Sequence, residues 1–469
     1  MNSSIENKPV VNLSKTVPVV LLLMIFSLVI DNSFKIISPD LVKYFGVSAS
    51  TVSWQVTLAG LVIGIGAVVY SSLSDSISVR NLLVAGIILI CAGSLLGYIV
   101  SDNYWLLVFS RIIQSAGLGA TETLYLIFVA KYASPAEQKK YMGFSTSSYQ
   151  LATVIGILTG GFVSTYLQWQ NLFLIPLLSL LLLPFILKYL PKEDRKKNNV
   201  DFIGLILIAT VATSIMLYMS YFNWGLFILF VAAVIVFLLY ISKKKNAFIT
   251  IEFFKNKQFL FVLIVAFIIY STYAAYALNT LSFLLTTVYE IKLDTVSLMF
   301  IPACLLAALV GALSGKIGKY LSSLQCVYLA MSLITISILM GSIFVDSSIT
   351  VFVISLILFS CSFALLYAPL IDTSIKNVPV EKAGTALGFY NLCINIAMSA
   401  GFTYSAFLID KKDLQFGFLS FTTDNAAALN YGSIILIIAA IALFAIVLFW
   451  ALVGRKKDNN ILNQGKRAA

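Results

Sequence analysis

Two residues with chemical potential share one apolar stretch. Leu106–Tyr125, LLVFSRIIQSAGLGATETLY, has the length of a membrane-crossing helix and carries Arg111 and Glu122. Eleven residues separate the two. At 3.6 residues per turn that is close to three turns, so both side chains point to one side, roughly 16 Å apart along the axis. A charge at bilayer depth is expensive and is kept mostly where it faces a protein interior or a water-filled path. An arginine stays charged and cannot carry a proton. A glutamate can take one up and release it as its surroundings change, which is the chemistry of a proton carrier. Asp31 is a second acid of this kind, in IDNSFKIISP, with Lys35 one turn on. An i,i+4 pair neutralises itself and lowers the cost of burial. Arg111 then reads as an electrostatic partner for a nearby acid, with Asp31 the candidate across the helix interface. Each residue also has a plainer reading. Lys35 can snorkel to the interface, Glu122 can be a hydrogen-bonded packing residue, and Arg111 can cap another helix.

Other residue types suit a substrate path. Trp54, Gln55, Gln114, Gln150, Tyr270, Tyr273, Asn391 and Asn395 are aromatic or amide side chains within apolar runs. Large organic ligands favour apolar, aromatic pockets with a few polar groups, although tyrosines at three-residue spacing also serve helix packing or an interfacial belt. Asp75 and Arg80 lie in a short loop, where an acid and a cation near a helix end can form a latch. Gly156, Gly160 and Gly161 read GxxxGG, a seam for close helix packing that can also hinge.

The elements that must position these residues are membrane helices. The chain has 469 residues, 60% hydrophobic and 11% charged, with a mean hydropathy of +0.97. Soluble domains carry about 25% charged residues. The absence of histidine excludes His-based metal sites and proton relays. The five cysteines form no CxxC pair and read as small core residues. No GxxxxGK[ST] loop is present, so ATP drive is not expected, and no interfacial cluster of an enzyme type is visible. The net charge of +11 does not indicate nucleic acid, because the basic residues fall in short loops between apolar runs.

A span needs about 20 apolar residues. Fourteen runs meet this: 17–37, 50–71, 81–100, 104–132, 141–167, 169–190, 201–220, 222–242, 258–285, 294–317, 322–345, 347–371, 384–408 and 430–453. Pro39 ends the first run and kinks it. With the N-terminus inside, twenty-five Lys and Arg fall on the cytoplasmic side and four outside, with Lys35 and Arg111 within spans. This places both termini in the cytoplasm. The run from Val17 is long enough to remain as a span, with no cleavage-like site before it. The loop Ser71–Arg80 after the second run resembles Gly311–Tyr320 after the tenth, at an offset of 240. That register fits two parallel six-span halves separated by two extra spans. The expected organisation is a cytoplasmic segment 1–16, a six-helix bundle 17–190, two inserted spans with basic flanks 191–257, a second six-helix bundle 258–453 and a cytoplasmic tail 454–469.

Several motifs carry a family resemblance. Leu73-Ser-Asp75 with Arg80 resembles the loop motif GxLaDrxGrkxxl, with Ser71 and Ser78 in place of glycines. Arg111-Ile-Ile-Gln114-Ser-Ala-Gly117 resembles the fourth-span motif RxxQGxG, and Gly156-Ile-Leu-Thr-Gly160-Gly161 resembles GPxxGG. Asp31 falls where the same proteins carry a first-span acid. Together these resemble the major facilitator superfamily, in particular its fourteen-span drug:proton antiporters and the tetracycline efflux proteins of Gram-positive bacteria. The resemblance implies an all-α polytopic membrane protein of the bacterial cell membrane, monomeric and without a resident cofactor. It implies that Arg111 is tied to proton coupling. The implied partners are protons, the lipid bilayer and a bulky amphiphilic substrate. Tetracycline, carried as a divalent-metal chelate, comes first, with monovalent-cation/proton exchange as a side activity. A broad exporter of quaternary ammonium or lipid-like compounds, and a non-transporting membrane sensor or subunit, are the alternatives.

Overall fold

The computed structural model describes residues 12–74, 76–191, 201–244, 256–317, 320–376, 378, 383–421 and 423–454. Asp75, one side of the expected loop latch, lies outside them, as do the basic segments 192–200 and 245–255.

The described chain is helical. In order it forms α1 (Leu13–Ile36), α2 (Ser38–Phe45), α3 (Ala49–Leu73), α4 (Val79–Ile99), α5 (Tyr104–Tyr132) and α6 (Pro135–Tyr166). A 3₁₀ segment, Trp169–Leu182, then runs into α7 (Leu183–Tyr189). Next come α8 (Phe202–Tyr221) and α9 (Trp224–Lys243). The following element, α10 (Lys257–Tyr273), passes through a π-helical segment Ala274–Thr280 into α11 (Leu281–Thr287). The remainder is α12 (Leu293–Leu298), α13 (Phe300–Ile317), α14 (Ser323–Ile343), α15 (Ile349–Ile375), α16 (Ala383–Asp410) and α17 (Ala426–Phe449).

Polar residues between the apolar runs set the boundaries. Ser48 caps α3 through the Thr51 amide, Ser78 caps α4, and Asn103 caps α5 through two amides. Ser134 with Glu137, and Ser322 with Gln325, form capping boxes. Each satisfies amides that would otherwise be unpaired at a helix start. Pro39 stands at the second position of α2, just past the single-residue break that ends α1. The expected run from Phe222 begins instead at Trp224, because Phe222 takes φ +47° and Asn223 caps α9.

Among the described residues twelve helical segments are long and apolar enough to cross a membrane. Two more of the expected runs are present as α6 and α8, of 32 and 20 residues. The elements α1 and α3–α7 pack on one another as an N-terminal half, and α10–α17 as a C-terminal half. One continuous apolar core fills the C-terminal half and runs into the end of the N-terminal half that lies far from the termini, through Phe34, Val52, Trp169 and Phe173. A separate core, around Val20, Leu83, Phe128 and Ile186, fills the termini end of the N-terminal half. The halves therefore share a core at the distal end and hold separate cores at the termini end.

Candidate functional site

The charged centre grows from the first span. Asp31 and Lys35 stand one turn apart on α1 and pair at 2.5 Å. Arg111 reaches the same carboxylate from α5, with Nη2 3.3 Å from Asp31 Oδ1. This is the cross-helix contact anticipated for Arg111. Its guanidinium lies over the Phe34 ring, 4.4 Å from the centroid, and Nη1 donates to Gln114 Oε1. Gln114 Nε2 in turn donates to Ser94 Oγ at 2.8 Å. Close backbones make this network possible, since a Cβ on Gly93 would run into the backbone of Gln114. Asp31, Lys35, Arg111 and Gln114 are all buried. A buried ion pair is tolerated best when its polar atoms find partners, and here each charged-group atom of Asp31, Lys35 and Arg111 has at least one except Arg111 Nε.

Glu122 lies farther along α5. It is half-buried, within electrostatic reach of Asp31 and Lys35, and has no hydrogen-bond or ion-pair partner among the described residues. The four groups Asp31, Lys35, Arg111 and Glu122 sum to zero only while Glu122 is ionised. Protonation of Glu122 leaves the centre with one net positive charge. A single proton thus changes the charge of a desolvated cluster, where charge is most costly.

Tyrosines from both halves surround this acid. Tyr149 on α6 lies within electrostatic reach of Glu122, Tyr273, Asp31 and Tyr367. Tyr149 and Tyr367 are 43% and 40% exposed although both sit well inside their helices. Tyr273 stacks on Phe359 at 5.7 Å and meets Phe363 edge-on at 5.1 Å. It is the last residue before the π-helical segment, a feature common at functional sites. Behind it Tyr270 packs on Phe363, and the hydroxyls of Tyr270 and Tyr390 are buried without a good hydrogen bond. Four helices, α5 and α6 from one half and α10 and α15 from the other, thus bring Glu122, Tyr149, Tyr273 and Tyr367 into one neighbourhood.

The other sequence candidates divide. Gln150 is half-buried beside Tyr149. Asn395 donates to the Asn391 carbonyl at 3.1 Å and lies against Gly64 of α3. Trp54 is buried and its ring faces Tyr221 of α8, 6.1 Å away, while Gln55 is buried with Nε2 donating to the Phe34 carbonyl. In this arrangement these two are packing residues and do not line the space. Gly156 and Gly160 let α6 approach α1, where Ser33 Oγ donates to the Gly156 carbonyl at 2.8 Å. Gly161 faces the other way, onto Leu293 and Ser297 of the C-terminal half. Arg80 stands in the first turn of α4. Tyr149, Tyr367 and Tyr390 were not among the candidates. Tyr149 had a visible signal, its place beside Gln150, whereas Tyr367 and Tyr390 look like any aromatic in an apolar run.

Two seams join the halves. Along α3 and α16, Thr57 and Thr403 share a hydroxyl hydrogen bond of 2.9 Å, and Gly60 and Gly64 admit Ser399 and Leu392. Asp410 accepts from the amides of Ala49 and Ser50, each at 2.9 Å, so the end of α16 caps the start of α3. Along α6 and α12, Tyr166 donates to Asp294 at 2.7 Å and the Asp294 amide donates to Thr165 Oγ1.

Comparison with known proteins agrees with this architecture. The chain is 25% identical to the riboflavin transporter RibZ of Clostridioides difficile (strain 630) over 431 residues, 88% of this chain and 92% of that protein. It is 25% identical to the quinolone resistance protein NorB of Staphylococcus aureus (strain MRSA252) over 398 residues, 78% of this chain and 82% of that one. The crystal structure of the POT family transporter PepTSo superposes with a TM-score of 0.66 at 12% identity, covering 93% of this chain and 98% of that one. Residues 20–402 match the Major Facilitator Superfamily, and the chain belongs to that family of membrane transporters.

Proposed function

We propose that this transporter is a proton-coupled exporter of a bulky amphiphile, working by alternating access across fourteen spans, with α6 and α8 joining the twelve apolar segments. The observation that carries the reading is Glu122, an unpaired acid that water can reach beside a buried cluster whose net charge it controls. The shared core and the two seams close the distal end, and toward the termini the main cores are separate, with the halves still joined along α3 and α16. The charge asymmetry of the loops puts the termini in the cytoplasm, so the arrangement described is inward-facing. A proton taken from outside neutralises Glu122 and shifts the balance between outward and inward states. The return stroke carries substrate out. One charge crossing 100 mV is worth about 2.3 kcal/mol, roughly a fifty-fold substrate gradient.

The exposed rings of Tyr149 and Tyr367, with the partly buried Tyr273 beside them, favour a flat, multi-ring substrate. Tetracycline as its divalent-metal chelate fits that description, as do the quinolone and flavin classes for which the two relatives are named. Breadth across such compounds is the second reading, because aromatic faces discriminate poorly between flat rings. The test is reconstitution in vesicles with an imposed pH gradient. Tetracycline with magnesium, a fluoroquinolone, riboflavin and an unrelated cationic dye are supplied in turn. Gradient-dependent movement of one class supports a selective exporter, and movement of several supports a multidrug exporter. Movement of none supports a sensor or subunit.

A further inference from the structure

The two seams between the halves are not alike. The α3–α16 seam is tied from Asp410 on the Ala49 amide to the contact of Val68 with Leu392. From Ala49 to Val68 that is roughly 28 Å of helix. Among the described residues the side-chain ties of the α6–α12 seam run from Gly161 to Tyr166, roughly 8 Å at the distal end, and α6 continues in contact with α13 beyond them.

The inserted pair α8–α9 sits on one seam only. α8 packs on both α3 and α16. Ala212 and Met216 bury against Leu61, with Ile396 of α16 at their edge. Ile208, with Phe237 and Ile241 of α9, joins Val68 and Leu392 in one cluster. At the distal end Tyr221 faces Trp54 of α3, and Phe222 packs at a tilt against Phe407 of α16 with ring centroids 4.7 Å apart. Phe222 holds this place in a left-handed backbone conformation, φ +47°, which bulky residues avoid. The pair is clipped at its other end by Asp201, which accepts from Lys244 Nζ at 2.8 Å and from Tyr240 at 2.5 Å. Among the described residues the α6–α12 seam has no comparable cover. Phe162, Tyr166 and Leu298 along it are 40%, 65% and 43% exposed.

We propose that the inserted helices α8 and α9 strap the α3–α16 seam into a hinge, and that the halves open and close mainly at the α6–α12 seam. This rests on the reading that the protein alternates between two access states. A helix packed on both sides of a joint loses contacts on one side whenever the joint parts, so α8 stabilises the joined form wherever it stays bound. Small residues let α3 and α16 pivot in contact, as hinge motions need. The proposal gives the two extra spans a mechanical part. It also makes the motion lopsided, with one seam turning and the other parting.

Two measurements test this. Spin labels are placed across each seam in lipid nanodiscs, on Ser50→Cys with Lys412→Cys for one and on Phe162→Cys with Leu298→Cys for the other. The expected result is one narrow, unchanged distance across α3–α16 at acid and alkaline pH, with the α6–α12 pair lengthening or splitting into two. Equal changes across both seams, or change only across α3–α16, overturn the proposal. No change across either overturns alternation under these conditions and the hinge with it. The second measurement is disulfide locking, with the five native cysteines replaced by serine. Oxidised Thr57→Cys/Thr403→Cys should keep at least half the transport of its reduced form. Oxidised Thr165→Cys/Asp294→Cys should lose it, with recovery on reduction. Loss in the first pair, restored by reductant, contradicts the hinge. Absence of transport in every reduced form counts against the exporter reading, and the spin-label distances then decide the hinge alone.

Discussion

At the scale of single residues, the centre depends on three buried charges that were found in the sequence for one reason, their cost. Asp31, Lys35 and Arg111 have no place in hydrocarbon unless they meet, and they meet. Removing one partner strands the others. Asp31→Asn removes the carboxylate that pairs directly with both Lys35 and Arg111, and breaking such a buried pair costs about 3–5 kcal/mol. A thermal-unfolding measurement in detergent should show a clear drop in midpoint for Asp31→Asn, and an unchanged midpoint would mean the pair is better hydrated than its burial indicates. Tyr149 acts differently. It is 43% exposed. Tyr149→Ala should weaken half-saturation by substrate about two- to tenfold, the worth of one aromatic contact, with little change in unfolding midpoint. Equal losses in stability and in apparent affinity would make Tyr149 a packing residue.

At the scale of elements, apolar length and polar caps made the helices legible, while their partners were not. The run 104–132 coincides with α5 (Tyr104–Tyr132) because Asn103 caps its start and apolar residues fill its length. The break after Tyr273 was not legible. A π-helical turn differs from an α-helical one by a single hydrogen-bond register, and Ala274–Thr280 has the composition of an ordinary span. Trp54 reads as a path residue because aromatics suit ligands, yet its ring packs against Tyr221 of an inserted helix whose docking place no local pattern encodes. The clip on that inserted pair gives a pH prediction. Lys244 lies beyond the end of α9, and its hydrogen bond to Asp201 holds its ammonium group above the usual lysine range. A raised value contributes stability that is complete below the ordinary lysine range and is lost as pH rises through the higher, folded value. The clip therefore stays closed through neutral pH. Cross-linking between the ends of α8 and α9 should be constant from acid to neutral pH and decline only in strong alkali, and a decline near neutrality would show that the Lys244–Asp201 pair is not what holds them.

At the scale of the whole molecule, two observations bear on the same motion. The halves share a core at the distal end and hold separate main cores toward the termini, and Glu122 is the half-buried acid of the centre, on the termini side of Arg111 along α5. The sequence carried the class of machine through composition, repeat and motifs, because the bilayer imposes strict costs on length and charge. It did not carry the substrate, because the tyrosines beside Glu122 come from three helices whose convergence depends on tertiary packing. The central claim is that the charge on Glu122 couples proton movement to substrate movement. The most direct test compares wild type and Glu122→Gln in the same vesicles. One arm has an imposed pH gradient, and the other has substrate exchange with no gradient. The account predicts that Glu122→Gln loses gradient-driven accumulation at least tenfold while exchange persists. Gradient-driven accumulation at the wild-type level in Glu122→Gln, with equal protein in the membrane, would contradict it.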